Sequence, residues 1–389
     1  MDRLIEIYGK LLDRTKTAFH RYAFADINWE NRMIGITGPR GVGKTTLVLQ
    51  HIKEQLDKSI ALYVNADDFY FANHRILDLA DAAVKRGLKY LIIDEIHKYA
   101  DWSRELKLIY DYHPDLQVVF TGSSVLDIKK GVSDLSRRAV MYSMQGMSFR
   151  EYLKLCHGID MPVYSLDEII TGKVALEALQ TPLLYYNKYL RKGYYPFSNE
   201  NGYEEKMSQI VAQTLENDIP AYAKISATTA MKLKRLLAII ADSVPFKPNF
   251  SKLAEILSVS RNDIGDYLQF IEDAGMIGQL RDDTTGIRGL GKVQKVYLDN
   301  TSLIYSLSGD KAEIGNVRET FFLSQLRVRN EVTASRISDF VIDGKTFEIG
   351  GKNKGSRQIR EAAEGYVVKD EIEYAHGNVI PLWQFGLNY

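Results

Sequence analysis

The segment Gly38-Pro39-Arg40-Gly41-Val42-Gly43-Lys44-Thr45-Thr46 fits the pattern G-x4-G-K-[ST], with a short apolar run before it and a helical stretch after it. Glycines at 38, 41 and 43 allow backbone angles that turn successive N–H groups inward around a phosphate. The N-terminus of the following helix adds its positive dipole end. In such a cradle Lys44 brings a mobile charge to the β- and γ-phosphates, and the Thr45 hydroxyl joins a Mg²⁺ coordination sphere. Further on, Tyr90-Leu91-Ile92-Ile93-Asp94-Glu95 delivers two adjacent carboxylates from a buried strand to a sheet edge. Asp94 there would hold the metal's water shell, and Glu95 would polarise the water that attacks the γ-phosphate. The next apolar run ends in Thr121-Gly122-Ser123-Ser124. These hydroxyls suit either γ-phosphate sensing, for which Ser123 is the named candidate, or a turn satisfying its own backbone. Arg137 and Arg138 could neutralise the charge of phosphoryl transfer from the same chain or from a neighbouring subunit, with Arg138 the one assigned to the nucleotide, or form a solvated basic pair. His97, beside the acidic pair, reads as a packing residue.

Elements that would position these groups follow from apolar periodicity. Residues 4–24 read as a helix leading into the first domain. Strands are expected at 33–37, 60–65, 90–94, 117–121 and 139–144, with helices at 44–56, 76–86 and 102–112 between them. Such alternation demands crossover connections, hence an α/β fold with a parallel sheet covered on both faces. Four domains are expected: 1–147 around the phosphate site, a helical lid or connector over 148–229, a third over 230–315 and a small α+β domain over 316–389.

In the third domain, helices at 231–242, 250–257 and 262–274 precede a two-stranded ribbon over 276–299 with a Gly-rich tip, which is the winged-helix plan. Its third helix carries Arg261 against Asp263, Asp266, Glu272 and Asp273, a face that phosphates repel. The ribbon is more basic, with Arg281, Arg288, Lys292 and Lys295 against Asp282 and Asp283, so protein contact and DNA contact both remain readings of this module. The last domain is read as a helix over 317–329, a hairpin over 337–349, a helix over 356–365 and a strand over 379–383. Asp343-Gly344 is a two-residue hairpin turn, and counting back from it sets Asp339 opposite Glu348. Carboxylates ~5 Å apart across strands repel unless a cation or a proton lies between them. Asp339 and Glu348 are therefore candidate ligands of a divalent metal.

Composition bounds what surrounds these sites. The 389 residues hold 50 Lys+Arg against 50 Asp+Glu, so no whole-molecule field draws the chain to nucleic acid. With 45% apolar and 26% charged residues it can bury real cores. Cys156 stands alone, which excludes an internal disulfide and a cysteine-only metal cage. The first sixteen residues are charged throughout and predict no signal peptide, and no apolar run approaches the ~18 residues that cross a bilayer. A soluble, cytoplasmic, multidomain protein without membrane partners is expected.

GPRGVGKTT, LIIDEIHK, VVFTGSS and SRRAVMYSMQGMSFREYL, in this order, resemble the AAA-type ATPases of bacteria and archaea that carry a C-terminal winged helix and a restriction-endonuclease-like segment. The resemblance implies an N-terminal P-loop NTPase fold with ATP and Mg²⁺ as cofactors. Lys44 and Thr45 carry over as phosphate and metal ligands, and Asp94 and Glu95 as metal holder and water activator. Thr121 to Ser124 carry over loosely, and Arg137-Arg138 stands where the family often has Gly-Arg. For the last domain the resemblance is to PD-(D/E)xK nucleases, which place an Asp and a Glu on such a hairpin with a Lys two residues after the Glu. Here Gly350 occupies that position, Lys352 is the nearest candidate lysine, and Glu319 would be a further ligand. The implied function is a Mg-dependent ATP-hydrolysing motor or switch whose C-terminal modules meet a DNA or protein partner, with homo-oligomer formation compatible. A nucleotide-gated nuclease and a non-hydrolysing scaffold are the alternatives.

Overall fold

The computed structural model describes residues 1–122, 135–243, 245–283 and 291–389, and the chain divides into two compact units, 1–145 and 146–389. The stretches expected as lid, winged helix and nuclease-like domain all fall within the second.

The first unit is built on five parallel strands: β1 (Met33–Thr37), β2 (Ala61–Asn65), β3 (Tyr90–Asp94), β4 (Gln117–Gly122) and β5 (Val140–Ser143), in spatial order β2-β3-β4-β1-β5. β-branched and aliphatic runs such as Met-Ile-Gly-Ile-Thr and Tyr-Leu-Ile-Ile-Asp suit strands buried on both faces, and every residue of β1 is buried. Helices α1 (Asp2–Arg14), α2 (Ala23–Asp26), α3 (Lys44–Gln55), α4 (Ile76–Lys85) and α5 (Trp102–Tyr112) complete it. This is the α/β architecture of P-loop NTPases. The single helix expected over 4–24 is broken, because side chains of α3 claim the carbonyls that would continue it. Lys53 Nζ takes those of Leu12 and Thr15, and Gln50 Nε2 those of Lys16 and Phe19.

The second unit begins with α6 (Phe149–His157), α7 (Leu166–Ile170), α8 (Pro182–Lys192), α9 (Tyr203–Gln213) and α10 (Ile219–Ala223). Three helices follow, α11 (Ala227–Ala241), α12 (Phe250–Leu257) and α13 (Arg261–Asp273), then an antiparallel ribbon of β6 (Ile277–Arg281) and β7 (Val293–Leu298). Phe246, between α11 and α12, bridges antiparallel to Val296 of that ribbon. Next come α14 (Thr301–Ser308), which the sequence did not signal, and α15 (Ile314–Leu326). A mixed sheet closes the unit in the order β12-β11-β10-β9-β8, from β8 (Thr333–Ala334), β9 (Phe340–Ile342), β10 (Lys345–Gly350), β11 (Gly365–Lys369) and β12 (Val379–Pro381).

The helix expected over 356–365 is a series of turns instead, with β11 starting at Gly365. Its sequence offers Ile359 as its one buried apolar side chain, and a short helix without an apolar face to dock has little to hold it. The last turn, Leu382–Leu387, is wholly buried. Phe149 of α6, Tyr186 of α8, Phe321 of α15 and Trp383 pack edge to face in one aromatic core. Gly386 sits there because a Cβ would lie 2.5 Å from the Cβ of Phe149. Polar bonds run through the same core: Gln325 accepts from the Phe149 amide and donates to the Tyr189 hydroxyl, which donates to the Met147 carbonyl.

Candidate functional site

β1 ends at Thr37 and the chain turns through residues 38–43 into α3 at the carboxyl edge of the sheet, between the diverging neighbours β4 and β5. Gly38, Gly41 and Gly43 have φ of 155°, 85° and 100°, angles that favour glycine. At Gly38 the requirement is also steric, since a Cβ would stand 2.0 Å from the Met144 carbonyl oxygen. Pro39 and Val42 are buried, Arg40 is half-buried, and Thr46 faces out from the first turn of α3. Lys44 is buried, and its ammonium donates to the carbonyls of Gly38 at 2.8 Å and Pro39 at 2.9 Å. The ammonium thus lies against the loop it serves. Arg21, also buried, ties the loop from below by donating to the Val42 carbonyl and, at 2.8 Å, to that of Gln145.

β3 carries Asp94 to the same edge, where it is 1% exposed. Its Oδ2 accepts from the Thr45 hydroxyl at 2.6 Å and the Tyr63 hydroxyl at 2.7 Å, and its Oδ1 from the Thr121 hydroxyl. Thr121 Oγ in turn accepts the Glu95 N–H at 3.2 Å, so one hydroxyl connects both acidic residues. Glu95 holds φ at 52°, a left-handed angle uncommon for a residue with a side chain, and its Oε2 lies 3.4 Å from His97 Nε2. Burial, then the charge of Asp94, pushes the Tyr63 phenol far above its ordinary range, so it stays a protonated donor. Hydroxyl and carboxylate oxygens are the hard donors Mg²⁺ takes alongside substrate phosphates, so Thr45 and Asp94 fit that cation.

The fold therefore brings Gly38 to Thr46, Asp94, Glu95 and Thr121 to one edge. Ser123 and Ser124 lie outside the described residues. Arg138 is not brought to this site: it precedes β5, at the sheet edge opposite the loop. There its Nε and Nη2 meet the Asp111 carboxylate at 3.0 and 3.1 Å. Arg137 has φ of 72°. Sequence reasoning missed Tyr63 and Arg21; His97, read as a packing residue, is buried beside Glu95. Tyr63 alone carried a signal, a polar-tipped residue inside an apolar strand, but its partner depends on the register that pairs Asn65 with Asp94.

The C-terminal hairpin turns at Asp343 and Gly344, with φ of 48° and 77°, and its ladder pairs Lys345 with Ile342, Thr346 with Val341 and Phe347 with Phe340. The ladder ends at that pair: the Asp339 amide donates to the Phe347 carbonyl at 3.3 Å, so the pairing of Asp339 with Glu348 expected from the turn is not among its steps. The cations beside them are lysines. Lys295, reaching over from β7, places its ammonium 3.0 Å from Asp339 Oδ1 and 3.1 Å from Glu319 Oε2. Tyr297, on the same strand, donates to Glu319 at 2.7 Å, and the Ile349 amide donates to Asp339 Oδ2 at 3.0 Å. Glu348, 1% exposed, accepts from Ser338 and pairs with Lys354. The lysine that meets Glu348 is therefore Lys354, not Lys352. Its stem fills the space beside Gly350, where a Cβ would come within 2.5 Å of it. Burial opposes the charge of Lys295, but Glu319 and Asp339 outweigh it and the ammonium's pKa is raised. Burial and the charge of Asp339 raise the Glu319 carboxyl. Among the described residues no group of three or more His, Cys, Asp or Glu is placed to hold a metal ion.

Residues 30–153 match a family model described as an AAA domain, and residues 184–314 match one described as a domain of unknown function. The first match covers about a third of the chain, and the sheet order and loop geometry of the same residues fit a P-loop NTPase fold. No curated protein matches. Among solved structures, the Walker-type ATPase PABY2304 of Pyrococcus abyssi is similar over 76% of this chain and 99% of its own, at 10% identity and a TM-score of 0.44. A structure concerning katanin self-assembly aligns over 42% of this chain and 60% of its own, at 15% identity and TM-score 0.26. PCH-2 of C. elegans aligns over 69% and 65%, at 15% and 0.26. No helix among the described residues is long and apolar enough to cross a membrane.

Proposed function

We propose that this protein binds Mg·ATP at the loop of residues 38–46 and hydrolyses it, using the cycle to switch the state of its C-terminal modules. The observation that carries this reading is the 2.6 Å bond between Thr45 and Asp94, which joins the end of the phosphate loop to the acidic strand. Magnesium, when bound, supplies charge neutralisation to the β- and γ-phosphates. Loop amides and Lys44 would bind and orient the phosphate tail, Thr45 and Asp94 would hold the cation's ligand sphere, and Glu95 would take the proton of the attacking water. Thr121 keeps the Glu95 backbone in register with Asp94, and His97 limits where the Glu95 carboxylate can swing. Ser123 is proposed as a γ-phosphate contact. Arg138, lying at the far edge of its own sheet, would serve a nucleotide only across a subunit boundary, as in a homo-oligomer.

The three helices α11 to α13 with the β6–β7 ribbon, and the Phe246–Val296 bridge, support the winged-helix reading. The acidic α13 favours a protein rather than a DNA partner. A nuclease role for the hairpin is disfavoured, because Lys295 and Lys354 already neutralise its carboxylates. Calorimetry and phosphate release test the main reading. Lys44→Ala is expected to lose nucleotide binding at least ~100-fold. Glu95→Gln is expected to keep binding while hydrolysis falls ~100-fold or more, the scale of losing a general base. ATP uptake unchanged in Lys44→Ala, or hydrolysis unchanged in Glu95→Gln, would overturn it.

A further inference from the structure

Tyr63 lies mid-strand in β2, flanked by Leu62 and Val64. It is 4% exposed, and a phenol buried there must find an acceptor for its proton or pay for an unmade hydrogen bond. It finds Asp94 Oδ2, 2.7 Å away. The carboxylate therefore receives three hydroxyls, two on Oδ2 and one on Oδ1. Of these, Thr45 is itself a proposed metal ligand and Thr121 is shared with the Glu95 amide, which leaves Tyr63 as the donor with no other task. The Thr45 proton also goes to Asp94, so the Thr45 lone pairs are left for a cation.

We infer that Tyr63 is a positioning residue for the magnesium site: its hydroxyl locks the orientation of Asp94 and so sets the affinity for the divalent cation, while taking no part in holding the nucleotide. This rests on the Mg·ATP reading above. Partners that orient metal-site residues are commonly worth ~10–100-fold in metal affinity. Tyr63→Phe deletes one oxygen and keeps the ring that fills the core, so it separates the hydrogen bond from the packing.

The experiment uses the full chain and compares it with Tyr63→Phe and with Tyr8→Phe. The latter removes another buried phenol of the same unit, one on α1 whose hydroxyl makes no hydrogen bond. Mn²⁺ binding in the presence of ADP is followed by electron paramagnetic resonance, and ADP affinity in EDTA by calorimetry. Expected for Tyr63→Phe is a ~10–100-fold weaker Mn²⁺ affinity, with metal-free ADP affinity within about twofold of the unaltered protein. Excess Mg²⁺ should then restore ATP turnover, and Tyr8→Phe should change none of these values. Unchanged Mn²⁺ affinity in Tyr63→Phe, or an equal loss in EDTA, would overturn the inference alone. Failure of the unaltered protein to take up ADP under either condition would take down the parent reading and this one with it.

Discussion

At the scale of single residues, burial decides which groups can change charge. His51 of α3 is 3% exposed, stacks on Trp29 at 3.8 Å with the rings 10° apart, and shares a 2.8 Å hydrogen bond with Gln55. Burial lowers its pKa to about 4, against a smaller opposing effect of the Gln55 bond. In the unfolded chain the imidazole takes its proton near pH 6.5, while in the folded chain it resists until about 4. The unfolded state therefore binds more protons between these values. Stability that His51 contributes is fully present above pH 6.5 and is lost as pH falls toward 4, by up to about 3 kcal/mol. Urea midpoints taken between pH 7.5 and 4.5 should fall more steeply for the unaltered protein than for His51→Phe, which keeps a ring against Trp29 and has no proton to take. Parallel curves would remove His51 from the acid sensitivity. At this scale the sequence made the glycine loop of residues 38–43 and the acidic strand end at Asp94 and Glu95 legible, because each is local to one turn or one strand end. Tyr63 and Arg21 were not legible, since each finds its partner across strands or segments whose alignment no local pattern states.

Among elements, the most informative joint is the one between the β7 strand of the ribbon and the carboxylates of α15 and the C-terminal hairpin. Lys295 bridges Glu319 and Asp339 while about five-sixths buried. Replacing it by Met leaves two carboxylates facing each other without a counter-charge, a mechanism worth about 3–5 kcal/mol at a buried pair. Lys295→Met should lower the urea midpoint of the second unit accordingly, and adding Glu319→Gln should recover part of the loss by removing the repulsion. If the double variant is no more stable than the single one, the lysine is not acting as the carboxylates' counter-ion. The turn residues Asp343 and Gly344 had already announced the hairpin register. What they could not announce was the identity of the cation. Gly350 and Gly351 let the chain fold back so that Lys354, rather than Lys352, reaches Glu348, and Lys295 arrives from a strand far away in the chain. The turns at 356–365 make the same point in reverse, since helix-favouring residues without an apolar face do not make a helix.

For the whole molecule, 50 cationic and 50 anionic residues cancel, so partner choice rests on local surfaces rather than on a long-range field. The two units provide a direct reading of where the nucleotide acts. A Mg·nucleotide at a hundred times its dissociation constant stabilises the unit it binds by about 2.7 kcal/mol. Scanning calorimetry of the full chain should show the transition carried by residues 1–145 moving up with Mg·ADP, and hydrogen exchange should slow at residues 38–46 and at Asp94. Stabilisation seen only in the second unit would place the nucleotide elsewhere.

Composition and local pattern were enough to specify a P-loop, an acidic strand end, the alternation of a parallel α/β sheet and a tight hairpin near residue 343. Each of these depends on angles or periodicities confined to a few neighbouring residues. Tertiary structure alone decided that Asp94 gathers three hydroxyls, that Arg138 lies at the edge away from the loop, that the segments expected as lid, winged helix and terminal domain share one unit, and that lysines neutralise the hairpin acids. Those outcomes depend on which strands become neighbours and in what register, and that is fixed by burying the whole chain at once.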